Sequence, residues 1–123
     1  MSATNNFTIK SLSPLLLVSN LEQAISFYHQ LGFETSFIYE DFYAELKKDG
    51  FTIHLKHGQP RRRVNPGEED DLDINMSVTG IREFYDAVQK LDVNIIQPLR
   101  EMPYGWEFYI ADLDGNLLGM VES

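Results

Sequence analysis

The stretch Val18–Phe33, VSNLEQAISFYHQLGF, has a counterpart at Val78–Val93, VTGIREFYDAVQKLDV. Leu21, Ile25, Tyr28 and Leu31 become Ile81, Tyr85, Val88 and Leu91 when 60 is added to each number. Both sets recur at intervals of three and four, which marks one apolar helix face in each copy. Asn20 is the expected N-cap of the first helix, with Gln23 three residues on as a weak capping box and Gly32 as its stop. Thr79 is the expected cap of the second. A self-similarity on this period says that one supersecondary unit occurs twice.

The surroundings of the helices repeat as well. A short strand precedes each, Leu12–Val18 and Leu72–Val78, and an extended run follows, Phe33–Tyr39 and Val93–Gln97. Two further strands close each half. They are Tyr43–Lys48 and Phe51–Lys56, joined by Asp49-Gly50, then Trp106–Ala111 and Asn116–Glu122, joined through Asp112–Gly115. Asp-Gly between alternating runs is a strong hairpin signal. The chain reads βαβββ-βαβββ, an α+β domain over residues 1–123, with module one at about 10–58 and module two at about 72–123. Between them HGQPRRRVNPGEEDD, residues 57–71, lacks apolar periodicity and is a linker or flap. Its Arg61, Arg62 and Arg63 are offset by Glu68, Glu69, Asp70 and Asp71.

Composition narrows the function classes. A net charge of −9 argues against nucleic-acid binding, which needs a basic surface, and through long-range attraction favours a cationic ligand. Acidity that only maintains solubility is the plainer reading. The absence of cysteine removes disulfides, thiolate metal sites and a Cys nucleophile. No apolar run approaches the ~20 residues of a membrane span. Residues 1–10 lack the basic-then-apolar order of a secretory leader, so cytoplasmic residence is expected.

Side-chain alternation assigns strand faces. Leu72, Ile74, Met76 and Val78 should pack beneath a helix, which leaves Asp73, Asn75 and Ser77 opposite. Phe51, Ile53 and Leu55 likewise leave Thr52, His54 and Lys56 opposite. Such a polar face is either a solvated sheet or a lined cleft. The aromatics of the neighbouring strands, Phe37, Tyr39, Phe42, Tyr43, Trp106, Phe108 and Tyr109, favour the cleft. DLDGN, Asp112–Asn116, could be a calcium-loop fragment, but strands flank it and Leu117 and Leu118 stand where oxygen ligands belong, so a turn is the better reading. His54 and His57 point to opposite faces of a strand and do not chelate together, His29 lies off its helix stripe, and no serine sits in a nucleophile elbow.

Taken together, the repeat, VSNLEQAISFYHQLGF, DGFTIHL and PYGWEFYIADLDGN resemble the glyoxalase / bleomycin-resistance / extradiol-dioxygenase superfamily, the vicinal oxygen chelate proteins, from about Leu12 to Glu122. The resemblance implies two βαβββ modules whose sheets curl around a cleft, commonly completed by a homodimer. Enzymes of the family hold a divalent metal there with His or Glu from four strands. The matching positions here are Ser13, His54, Asp73 and Gly119, the last lying four residues after the turn glycine Gly115. A serine and a glycine leave too few ligands for a catalytic metal site, which uses about three.

The metal-free bleomycin-resistance branch, which sequesters a bulky cationic drug, is therefore the branch this chain most resembles. The expectation is a cytoplasmic, cofactor-free binder of a bulky, aromatic or cationic small molecule, with an antibiotic-resistance role. Its cleft residues would be His54, Asp73, Asn75, Trp106, Phe108, Glu45 and Tyr104. Aromatic side chains would stack on the ligand and hold positive charge by cation–π contact. The alternative is a metal-dependent lyase, transferase or dioxygenase that uses His54 and Asp73, with Glu45 or water completing the site.

Overall fold

The computed structural model describes residues 6–60 and 71–123. Arg61, Arg62, Arg63, Glu68, Glu69 and Asp70, and with them the expectation of a flap, lie outside the described residues. The order is β1 (Leu15–Val18), α1 (Leu21–Gln30), β2 (Glu34–Tyr39), β3 (Tyr43–Lys48) and β4 (Phe51–His57). Then come β5 (Ile74–Ser77), α2 (Ile81–Gln89), β6 (Asn94–Met102), β7 (Gly105–Ala111) and β8 (Leu117–Glu122). Each repeat forms its own four-stranded sheet, ordered β1-β4-β3-β2 and β5-β8-β7-β6. The strand that opens a module runs parallel to the one that closes it, and the other neighbours are antiparallel. A parallel pair needs a crossover, and the repeated helix is part of that connection in both modules. The class is α+β with two tandem modules.

Local chemistry explains most of the element boundaries. Asn20 caps α1 by accepting from the Gln23 amide at 2.9 Å. Asp49 and Gly50 both take positive φ (52° and 84°), the geometry that a tight two-residue hairpin between β3 and β4 requires. At α2 the expected cap, Thr79, is displaced by Gly80, which has φ 72° and offers no side chain. Glu122 supplies the missing acceptor: its Oε1 takes the Ile81 amide at 2.9 Å. The strand β6 runs on past Gln97 to Met102, through Pro98, which an edge strand tolerates because the lost N–H faces no partner.

One hydrophobic core spans both modules on the helix side of the sheets. Leu16, Val18, Phe27, Tyr28, Leu46 and Leu55 of module one join Ile81, Val88, Phe108, Ile110, Leu118 and Met120 of module two. Leu72, Ile74, Met76 and Val78 were expected together on that side. Ile74, Met76 and Val78 pack against the core, whereas Leu72 reaches across to the other face of β8 at Gly119. Among the described residues no helix is long and apolar enough to cross a membrane.

Candidate functional site: the open faces of the two sheets

The face of the first sheet turned away from α1 carries a hydrogen-bonded chain of polar side chains. Cross-strand register puts Glu45 opposite His54, Tyr43 opposite Lys56, and Leu15 beside His54. Tyr43 Oη lies 2.6 Å from His54 Nδ1, and His54 Nε2 lies 3.1 Å from Glu45 Oε2. Ser36 donates to Glu45 Oε1 at 2.8 Å, from a strand irregularity between Thr35 and Phe37. The ring of Tyr43 meets that of His54 edge-on at 5.5 Å. Phe37 and Tyr39 pair with Glu45 and Tyr43 and are more than half exposed, so they extend an aromatic surface along this face. A surface depression of about 400 Å³ between Gly32, Glu34, Lys47 and Gly50 holds none of the expected site residues and lies along the β2–β3 end of the module.

On the second sheet the open face is centred on Glu107 and Tyr109, a placement that corrects two expectations. Trp106 and Phe108 belong to the helix-facing side of β7. Phe108 is fully buried against Phe84 and Tyr85, and Trp106 lies under the Arg82 guanidinium, 4.1 Å from its ring centroid. Alternation places Glu107 and Tyr109 opposite; Tyr109 is among the aromatics that favour a cleft, but neither is among the expected ligand residues. Glu107 is only 3% exposed yet fully partnered. Arg100 donates to its Oε2 through Nε at 2.7 Å and Nη2 at 2.6 Å, Tyr109 donates to the same oxygen at 3.0 Å, and Tyr104 donates to Oε1. Burial pushes this carboxyl up, but the three donors together outweigh it and hold Glu107 below its ordinary value. The same bond to Glu107 raises Arg100. Tyr104 is thus on the open face as expected, and so is Asn75, which stands beside Gly119. A charged residue between two aromatics in WEF was the signal for this face.

The DLDGN turn belongs to neither face. Asp112 Oδ1 accepts the amides of Asp114 and Asn116 at 2.9 and 2.8 Å, and its Oδ2 accepts Tyr28 Oη at 2.7 Å and Asn116 Nδ2 at 2.9 Å. Asp114 Oδ1 accepts both the amide and the hydroxyl of Ser19, at 3.0 and 2.6 Å. The run is a turn, and its acceptors face protein donors.

The family model described as the glyoxalase/bleomycin resistance protein/dioxygenase superfamily matches residues 9–120. The chain belongs to this superfamily. No curated protein matched the sequence. Solved structures share the fold. A glyoxalase-related enzyme from Clostridium phytofermentans superposes with a TM-score of 0.77 at 18% identity, over 96% of this chain and 98% of that one. Fosfomycin resistance protein FosX from Listeria monocytogenes gives 0.75 at 19% identity, over 94% and 95%. A bleomycin-binding protein from Streptomyces verticillus, complexed with copper(II)-bleomycin, gives 0.71 at 17% identity, over 95% and 98%.

The superfamily's metal positions can be tested on this chain's own contacts. Ser13 is hydrogen-bonded to the Thr52 hydroxyl. Asp73 Oδ2 accepts the Leu117 amide at 2.8 Å while the Asp73 amide donates to Leu117 O at 2.9 Å, so its carboxylate helps close the β5–β8 junction. A Cβ at Gly119 would stand 2.5 Å from Leu72 Cδ1, 3.2 Å from Asn75 Oδ1 and 3.3 Å from Tyr109 Cδ1. The glycine therefore does not open room in the cleft, because a leucine methyl already fills the space. Among the described residues no three of His, Asp and Glu come together. The donor set does not fit a metal held in the superfamily's manner.

Proposed function

We propose that the protein binds a small organic molecule without a metal, in the manner of a bleomycin-resistance protein. Its ligand would lie between the open face of module one in one chain and the open face of module two in a second copy. The observation that carries this reading is the donor set at the four positions: Ser13 is bonded to Thr52, Asp73 Oδ2 holds the Leu117 amide, and Gly119, with Leu72 packed over it, offers no side chain. What remains on the two faces is suited to holding a ligand by shape and hydrogen bonding. Phe37, Tyr39 and Tyr43 line one side, and Tyr104, Tyr109 and Asn75 the other. Aromatic faces of this kind contribute stacking and edge contacts with unsaturated ligands.

The acidity of the chain as a whole supports a cationic ligand less than its net charge suggests. Of the glutamates on the open faces, Glu45 is satisfied by His54 and Ser36 and Glu107 by Arg100, Tyr104 and Tyr109, while Glu34 stands opposite Lys47. Aromatic character, rather than positive charge, is the ligand property these faces select. A drug-sequestering role, like that of the bleomycin-binding neighbour, is one form of this function.

The test is a thermal-shift screen of aromatic acids, neutral aromatics and cations including bleomycin, each with and without divalent metal, with sedimentation to give the subunit number. Preferential binding to the native dimer raises the melting temperature in proportion to RT ln(1 + [L]/Kd). Stabilisation by an aromatic compound that is indifferent to metal supports the proposal. Tight stoichiometric metal in the protein as isolated, lost in His54→Ala, defeats it.

A further inference from the structure

The chain of hydrogen bonds on module one does more than line a surface. Glu45, held by Ser36, takes the Nε2–H of His54 and so fixes the imidazole with its Nδ1 lone pair toward the Tyr43 hydroxyl, 2.6 Å away. The side chains remain accessible from the open face: His54 is 26% and Glu45 35% exposed. Around His54 on this face the titratable and charged groups are Tyr43, Glu45 and Lys47 from β3, Lys56 from β4, and Tyr39 and Glu34 on β2, across from Tyr43 and Lys47, while β1 contributes only Leu15 and Leu17. A base oriented by a carboxylate, an exposed aromatic surface and a lysine on the neighbouring strand, paired with Tyr43, are the parts needed to draw a proton from a bound aromatic compound and keep the anion.

We propose that Tyr43, His54 and Glu45 form a proton-accepting relay through which the cleft binds a weakly acidic aromatic hydroxyl compound, a phenol or a conjugated enol, as its anion. The ligand's O–H bond breaks toward Tyr43 Oη as the Tyr43 O–H bond breaks toward His54 Nδ1. One proton thus moves from ligand to imidazole, the phenol of Tyr43 is regenerated, and no other bond changes. The imidazolium is balanced by Glu45. The ligand's new negative charge faces Lys56, the residue paired with Tyr43, whose ammonium lies 5.6 Å from the centre of the Phe42 ring. Tyr43 is the residue that touches the ligand, and His54 and Glu45 act through it. The proposal rests on the small-molecule reading above.

The experiment uses the full-length protein and 4-nitrophenol, whose anion absorbs visibly, at a pH where the free compound is protonated. Equilibrium dialysis measures binding, and the absorbance of the bound fraction measures ionisation. In the unaltered protein the anion-to-phenol ratio of bound probe should exceed that of free probe by at least about tenfold, one pKa unit. In Tyr43→Phe and His54→Asn it should return to the free value, and in Glu45→Gln it should fall in between, with melting temperatures reporting that the variants fold. No binding at all would overturn the ligand class and count against the small-molecule reading too. Binding as the neutral phenol would overturn the relay while leaving that reading standing. Anion retained in both Tyr43→Phe and His54→Asn would place the base elsewhere and overturn the assignment.

Discussion

Tyr28 donates to Asp112 Oδ2 at 2.7 Å, joining the first helix to the last turn of the chain across 84 positions. The bond is buried, and together with the Ser19–Asp114 pair and the Asn116–Leu17 carbonyl contact it ties two sheets that share no strand pairing. Burial, reinforced by the Asp112 charge, pushes the Tyr28 hydroxyl well above its usual range, so the proton stays on the tyrosine.

Tyr28→Phe keeps the ring in the core and leaves Asp112 one donor short. Removing one partner of a buried charge-assisted bond costs about 1–3 kcal/mol. Urea unfolding should therefore show a lowered midpoint with an unchanged slope. A midpoint equal to that of the unaltered protein would mean that the tie carries no stability.

Gly119→Glu restores the carboxylate that the superfamily's metal site uses, but its Cβ meets the Leu72 methyl. Overpacking of this size costs about 1–3 kcal/mol. Leu72→Ala should recover much of the loss, so the double variant is more stable than the sum of the single changes predicts. Simple additivity in chemical denaturation would show that Leu72 is not what occupies the position.

Glu107 and Asp112 should bend the stability–pH curve in opposite directions. Glu107 is held below its ordinary value of 4.5, so its native form gives up the proton more readily than the unfolded one. Its contribution is full above 4.5 and disappears as pH falls through the native value. Burial raises Asp112 above 3.8 despite its hydrogen bonds, so its contribution is full below 3.8 and is lost as pH rises through the native value. Urea midpoints against pH should show a shallower acid loss in Glu107→Gln, and in Asp112→Asn the removal of a component that declines with rising pH.

Arg82→Ala should uncover Trp106 rather than any ligand surface. The guanidinium covers the indole at 4.1 Å, a cation–π contact of about 0.5–1 kcal/mol where partly exposed. The variant should quench more readily with acrylamide and lose about that much stability. An unchanged quenching constant would mean that the ring is shielded by something else.

Glu122→Gln tests the cap of α2, where a glycine precedes the first helical residue and the acceptor comes from another strand. Glutamine retains an oxygen for the Ile81 amide but loses the charge that the positive helix end favours, a loss of about 0.3–1 kcal/mol. Glu122→Ala loses the acceptor too and should cost about 1 kcal/mol. Equal midpoints for the two variants would show that charge, not the hydrogen bond, is the relevant part.

The sequence by itself determined the two βαβββ modules, the two helices and the Asp49-Gly50 hairpin. Each is written in short-range periodicity or in one turn dipeptide, and the copy 60 residues on repeats the helix pattern. His54 and Asn75 were legible as open-face residues because their strands place polar and apolar side chains by parity, whereas Tyr104 lies in the turn between β6 and β7, where parity gives no face. The strand β7 resisted because both of its faces carry aromatics: Trp106 and Phe108 on one, Tyr109 on the other. The charge of Glu107 marks the open side there, and only its partners Arg100 and Tyr104 show how a buried carboxylate is tolerated. Tertiary structure alone decided that Leu72 crosses to cover Gly119, that Asp73 serves the Leu117 amide, and that Asp112 and Asp114 hold Tyr28 and Ser19. These contacts join residues from 44 to 95 positions apart. Alternation says which way a side chain leaves its strand, but what it meets there depends on which distant segment the packed core brings alongside.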